Sequence, residues 1–106
     1  MDYIMVFITV PTKEDALKIS DYIVERSLGA CVNVVELVQS TFFWKGNIER
    51  EKEFLLIVKT NREKFEDLKI SVKSIHPYTV PEIVAVPIVI GNEDYLVWID
   101  DTLNRG

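Results

Sequence analysis

The sequence predicts an α+β fold of the ferredoxin-like, split-βαβ kind: βαββαβ plus a C-terminal helix, built on an antiparallel sheet. Three observations predict it. The chain opens on an unbroken apolar run, Tyr3 to Val10. Two stretches of helical period each follow a Thr-x-x-acid start, at Thr12/Asp15 and Thr60/Glu63. Between them lie two long β-rich arms around Lys45-Gly46-Asn47.

Each element follows in order. Tyr3 to Val10 reads as a strand covered on both faces. Pro11 ends it, and Thr12 with Asp15 caps a helix with an apolar stripe of Ala16, Leu17, Ile19, Ile23 and Val24. Gly29 is expected to close that helix near Leu28. Cys31 to Trp44 and Ile48 to Thr60 form a hairpin. Phe65, Leu68, Val72 and Ile75 mark a second helix, stopped by Pro77 because a proline disfavours helix in the residue before it. Ile83 to Ile90 reads as a strand, and Pro87 inside it demands an edge or a bulge. Gly91-Asn92 introduces a last helix, with Glu93 and Asp94 at its positive end and Tyr95, Leu96, Trp98, Ile99 and Leu103 as packing residues.

At 106 residues the whole chain, 1–106, reads as a single domain. Its formal charge of −5 argues against nucleic acid as a partner. A single cysteine, Cys31, excludes an internal disulfide. The first ten residues contain Asp2 and lack a basic start, so no signal peptide and no membrane span is read. A cytoplasmic location is expected.

The hairpin carries an argument about partners. Each arm would reach roughly 40 Å if straight, at about 3.3 Å per residue. A domain of this size has a radius of gyration of about 13 Å. The hairpin must bend or protrude, and its aromatics Phe42, Phe43 and Trp44 then need cover from another chain. With helices on one side only, the sheet's open face makes the same demand. A closed homo-oligomer joined through the hairpin 31–60 is expected.

His76-Pro77-Tyr78-Thr79-Val80-Pro81-Glu82 holds the only histidine in a stiff connector. Neutral imidazole ligates Cu²⁺ or Zn²⁺, and a histidine at a helix end also bonds the last carbonyls. One imidazole makes no site alone. Cys31 is a soft-metal ligand or a small buried hydrophobe. Glu49, Glu51 and Glu53 share one strand face, and read as a solvated edge before a hard-cation site. Lys59, just before a helix start, is an anion-binding or a snorkelling lysine. Lys59, Tyr78, Glu82 and Trp44 are the candidate wall of a ligand cleft between copies of the chain. No glycine-rich phosphate loop, Gly-x-Ser-x-Gly or Cys-x-x-Cys is present, and no nucleophile–base pair can be assembled, so no enzyme is expected. An acylphosphatase-like hydrolase would want a glycine-rich, arginine-bearing loop where the chain has Val10-Pro11-Thr12-Lys13.

The pieces together resemble the CutA family of divalent-cation tolerance proteins. The matching residues are Thr9-x-Pro11, Ala30-Cys31-Val32-Asn33, Ser40-x-Phe42-x-Trp44-x-Gly46-x-Ile48-Glu49, Lys59-Thr60, His76-Pro77-Tyr78-x-Val80-Pro81-Glu82-Ile83 and Gly91-x-x-x-Tyr95-Leu96-x-Trp98. The resemblance implies an interlocked homotrimer, a cytosolic location and a link to tolerance of copper or another divalent cation, weakly bound at or near His76. It is similar in assembly to the PII signalling proteins, which implies the alternative of a PII-like sensor or scaffold. That reading binds a small anionic or organic ligand in intersubunit clefts. Some relatives carry a thiol in the first strand and a second histidine before His-Pro-Tyr. Here those positions are Ile8 and Ile75, and of that set only His76 remains.

Overall fold

A computed structural model describes residues 2–105. The order is β1 (Tyr3–Val10), α1 (Lys13–Glu25), β2 (Cys31–Trp44), β3 (Asn47–Asn61), a 3₁₀ turn (Arg62–Lys64), α2 (Phe65–Ile75), β4 (Ile83–Pro87) and α3 (Glu93–Leu103). The four strands form one antiparallel sheet in the order β2-β3-β1-β4. The expected βαββαβ-plus-helix pattern is present.

The two faces of β1 have different fates. Ile4, Val6, Ile8 and Val10 are buried, whereas Tyr3, Met5, Phe7 and Thr9 are half-buried. β1 is therefore covered on one face more than the other, against the expectation from its apolar run. The buried face packs with Leu56 and Val58 against Ala16, Ile19 and Ile23 of α1 and Leu68 and Val72 of α2. Leu17 was expected in this stripe but is exposed. The opposite face receives α3, where Tyr3 donates its hydroxyl to Asp100 Oδ2 and Tyr3 and Leu96 pack with Ala30, Ile99 and Leu103. The helices do not all lie on one side.

Several boundaries move for local reasons. Thr12 caps α1 as expected, accepting from the Asp15 N–H at 3.0 Å. Ser27, not Gly29, ends the helix with φ 55°. Its N–H bonds Val24 O at 3.1 Å and the Leu28 N–H bonds Ile23 O at 3.0 Å, the Schellman pair. Gly29 serves a different need: a Cβ there would lie 2.5 Å from Val58 Cγ1 and 2.8 Å from Ile23 Cγ2. Thr60 does not cap the second helix. It is buried and donates to Leu28 O at 2.8 Å, while Asn61 Oδ1 takes the cap bond from the Lys64 N–H at 3.1 Å. β4 stops at Pro87 and lies at the sheet edge, where a residue without an N–H costs least.

The hairpin bends and protrudes. Lys45 (φ 49°) and Gly46 (φ 84°) form a two-residue left-handed turn that joins paired Trp44 and Asn47. Val35 pairs with Leu55 but Val38 pairs with Glu53, so Glu36 and Leu37 oppose one residue in a bulge, with Leu37 at φ 59°. β1 pairs with β3 only from Phe54 onward. Beyond it, seven pairs from Val38–Glu53 to Trp44–Asn47 have no third strand. This free ribbon stretches the molecule to 45 × 26 × 22 Å.

Candidate functional site

The connector after α2 forms a clasp at the ribbon's base. α2 ends at Ile75 because Pro77 forces His76 out of the helix, to φ −77° and ψ 137°. The His76 N–H still bonds Val72 O at 2.8 Å. Its ring is buried, 8% exposed. Nδ1 lies 3.0 Å from the Tyr78 N–H, which can only donate, so Nδ1 accepts. The ring proton of the neutral form is then on Nε2, which donates to Thr9 O at 2.8 Å. Both nitrogens of His76 are used.

Tyr78 continues the chain of bonds. Its hydroxyl donates to Glu53 Oε2 at 2.7 Å, and its ring lies 5.0 Å from the His76 ring. Burial pushes the phenol's pKa well above its ordinary value, helped by the bond and charge of Glu53 and by the charges of Glu51 and Asp15. Glu53 itself is buried, 5% exposed, and has no cation in ion-pair range among the described residues. The expectation of a solvated glutamate edge is wrong for Glu53. Its position beside the clasp makes it an acceptor inside the fold.

Within one chain the four residues expected to wall a cleft between copies lie apart. Glu53, where Tyr78 docks, is six residues from both Asn47 and Lys59 along β3, or about 20 Å each way at strand rise. Trp44 pairs with Asn47 at the exposed ribbon tip. Lys59 lies mid-sheet between Met5 and Cys31. Glu82 is exposed on the connector. Within one chain these residues occupy three separate places.

A divalent cation finds no ready set of donors in one chain. Among the described residues no three His, Cys, Asp or Glu side chains converge for a metal. His76 bonds Thr9, which pairs with Leu55, whereas Cys31 pairs with Lys59, about 13 Å further along β3. Cys31 is a half-buried free thiol. Ile8 and Ile75 fill the apolar core. The residues present do not fit a metal site internal to the chain.

Sequence reasoning missed Thr9, Glu53 and Tyr95. Thr9 acts through its carbonyl, which any residue has. Glu53 looked like one of a solvated row. Tyr95 stacks on Trp98 at 5.5 Å, and burial followed by the charge of Cys31 raises its pKa. That link joins residues far apart in sequence.

The chain matches known proteins along most of its length. Residues 4–102 match the family model described as CutA1 divalent ion tolerance protein. The divalent-cation tolerance protein CutA of Thermus thermophilus is 50% identical over 95 residues, covering 90% of this chain and 92% of the relative. The corresponding protein of Archaeoglobus fulgidus is 44% identical, covering 92% and 95%. The crystal structure of CutA1 from Oryza sativa superposes with a TM-score of 0.96 at 37% identity, covering 100% of this chain and 97% of that one. These relatives are named for tolerance and not for a reaction.

Proposed function

Because the chain belongs to the CutA1 divalent ion tolerance family, we propose that it serves divalent-cation tolerance as a homotrimer and not as a single chain. One observation carries this reading. The ribbon 38–53 pairs only with itself and ends in exposed apolar residues, with Phe43 at 72% and Ile48 at 65% exposure. A second apolar surface lies elsewhere, at Val84, Val86, Val89 and Ile90 on the β4 edge and beyond. Two different surfaces that each need cover favour a heterologous contact, which must close into a ring to avoid fibres. The resemblance supplies the number three.

The cation, copper or another divalent ion, is met weakly and by donors from more than one copy. Glu53, buried without a cation beside it, supports this. For His76 to ligate through Nδ1, it must first release the Tyr78 N–H. Cys31 is the soft donor available to a neighbouring copy. The reading includes a cytoplasmic location and no catalytic step. Calorimetric titration of the assembled protein with Cu²⁺ tests the cation. Weak saturable heat that falls in Glu53→Gln and His76→Ala is expected, and heat unchanged in both variants contradicts it.

A further inference from the structure

Leu37 holds a backbone conformation that a leucine resists. Its φ is 59°, in the left-handed region. That region is disfavoured by about 5–30-fold for an L-residue other than glycine. The backbone has a reason for it. Glu36 and Leu37 together oppose one residue of β3, and such a bulge calls for a left-handed residue, usually glycine. The side chain is a separate matter. It is 64% exposed, so packing within the chain does not hold it. The other left-handed residues have local compensation. Ser27 closes α1 with its helix-end bonds, and Lys45 shares the ribbon turn with Gly46 and lies 5.9 Å over the Trp44 ring. At position 37 a glycine would serve the bulge with less strain. The leucine adds only exposed apolar surface.

The bulge is fixed in space from both sides. Glu36 Oε1 lies 3.1 Å from Lys13 Nζ at the start of α1. Across the ladder, Val38 pairs with Glu53, which accepts from Tyr78. The pairing of β1 with β3 stops beside it, at Val10–Phe54. Leu37 therefore sits at the root of the free ribbon, on an anchored base. Exposed apolar residues run along β2 from Val35 and Leu37 at the root to Phe42, Phe43 and Trp44 at the tip. A pre-positioned apolar side chain continuous with a surface that needs cover suits the same neighbour as that surface.

We propose that Leu37 is an anchor that each copy of the chain seats in its neighbour, and that this contact offsets the left-handed strain of the bulge. The inference rests on the homotrimer reading and names a residue that each copy contributes to the contact.

Hydroxyl-radical footprinting of the wild-type full chain tests it. In one chain Leu37 is more exposed than Leu17 of α1, 64% against 51%. In the assembled protein Leu37 should be oxidised at least about fivefold less than Leu17, because a seated anchor is shielded from water. Exchange of subunits between isotopically heavy and light protein, read by native mass spectrometry, gives a second measure. Leu37→Gly should speed exchange by about tenfold or more, since lost interface contacts act mostly on dissociation, and Leu17→Ala should leave it unchanged. A leucine without a seat predicts the opposite for Leu37→Gly: exchange at the wild-type rate and a higher melting temperature, from relief of the strain. That result overturns the proposal. An intact trimer whose Leu37 is oxidised as readily as Leu17 overturns it alone, and a wild-type species at 12.3 kDa overturns it together with the trimer reading.

Discussion

The Tyr78 hydroxyl meets Glu53 Oε2 at 2.7 Å across 25 residues of sequence. This bond ties the connector to the ribbon where the ribbon leaves the sheet. Through the Tyr78 N–H and His76, the same tie reaches Thr9 at the end of β1. The protruding ribbon therefore has an anchored base, which fixes where its tip can reach.

Tyr78→Phe leaves a buried carboxylate without its donor. A loss of about 1–3 kcal/mol is expected, because the orphaned group keeps its desolvation penalty. Tyr78→Phe with Glu53→Gln should recover part of it. Denaturant unfolding at one fixed protein concentration measures both, since any assembly would make stability concentration-dependent.

The same bond predicts an alkaline limit. Folding raises the Tyr78 pKa above its ordinary 10.0, so the folded state holds the proton longer than the unfolded one. The stabilisation is full below about pH 10 and is lost as pH rises toward the folded value. Melting temperature against pH should fall above about pH 10 in the wild type and less steeply in Tyr78→Phe. Tyr3, also raised through its bond to Asp100, leaves a residual slope.

His76 should carry its proton on Nε2 in the native protein, visible in ¹⁵N spectra of the ring. His76→Ala removes two hydrogen bonds and should cost about 1–3 kcal/mol. A native spectrum with the proton on Nδ1 contradicts the clasp.

Two glycines should fail for different reasons. Gly29→Ala drives a Cβ into Val58 and Ile23, and should cost about 1–3 kcal/mol by overpacking. Gly46→Ala meets no atom within 4 Å but must hold φ 84°, which should cost about 1–2 kcal/mol. Chemical denaturation of each variant measures these costs. Larger neighbours made smaller, as in Val58→Ala, should relieve part of the first and none of the second.

The strands and helices were legible because apolar period and breakers act locally. Pro77, Pro87 and Thr12 did what their backbone chemistry requires. The ribbon's protrusion followed from length alone. What stayed hidden depends on tertiary neighbours. Thr60 could serve as a cap or a buried donor, and only the nearness of Leu28 O decides between them. The side of the sheet that α3 chooses rests on Tyr3 and Asp100, 97 residues apart. The clasp depends on a carbonyl at Thr9 that carries no sequence signal. Lys59, Tyr78 and Trp44 lie far apart on or against one long strand pair, so a cleft that holds them all has to be built between copies, which spacing within separate motifs cannot show.

Phe43 and Trp44 at the ribbon tip are expected to be covered by a neighbouring copy. Phe43→Glu should lower the solution mass while leaving the far-ultraviolet dichroism of the chain largely intact, because the tip makes no core contact. Collapse of the dichroism without a prior change in mass would place these residues in folding and not in assembly.

The working unit is expected to be a trimer. Sedimentation equilibrium of the full chain at micromolar concentration tests it most directly. A single species of three times the 12.3 kDa chain mass is expected. A stable species at 12.3 kDa would contradict it.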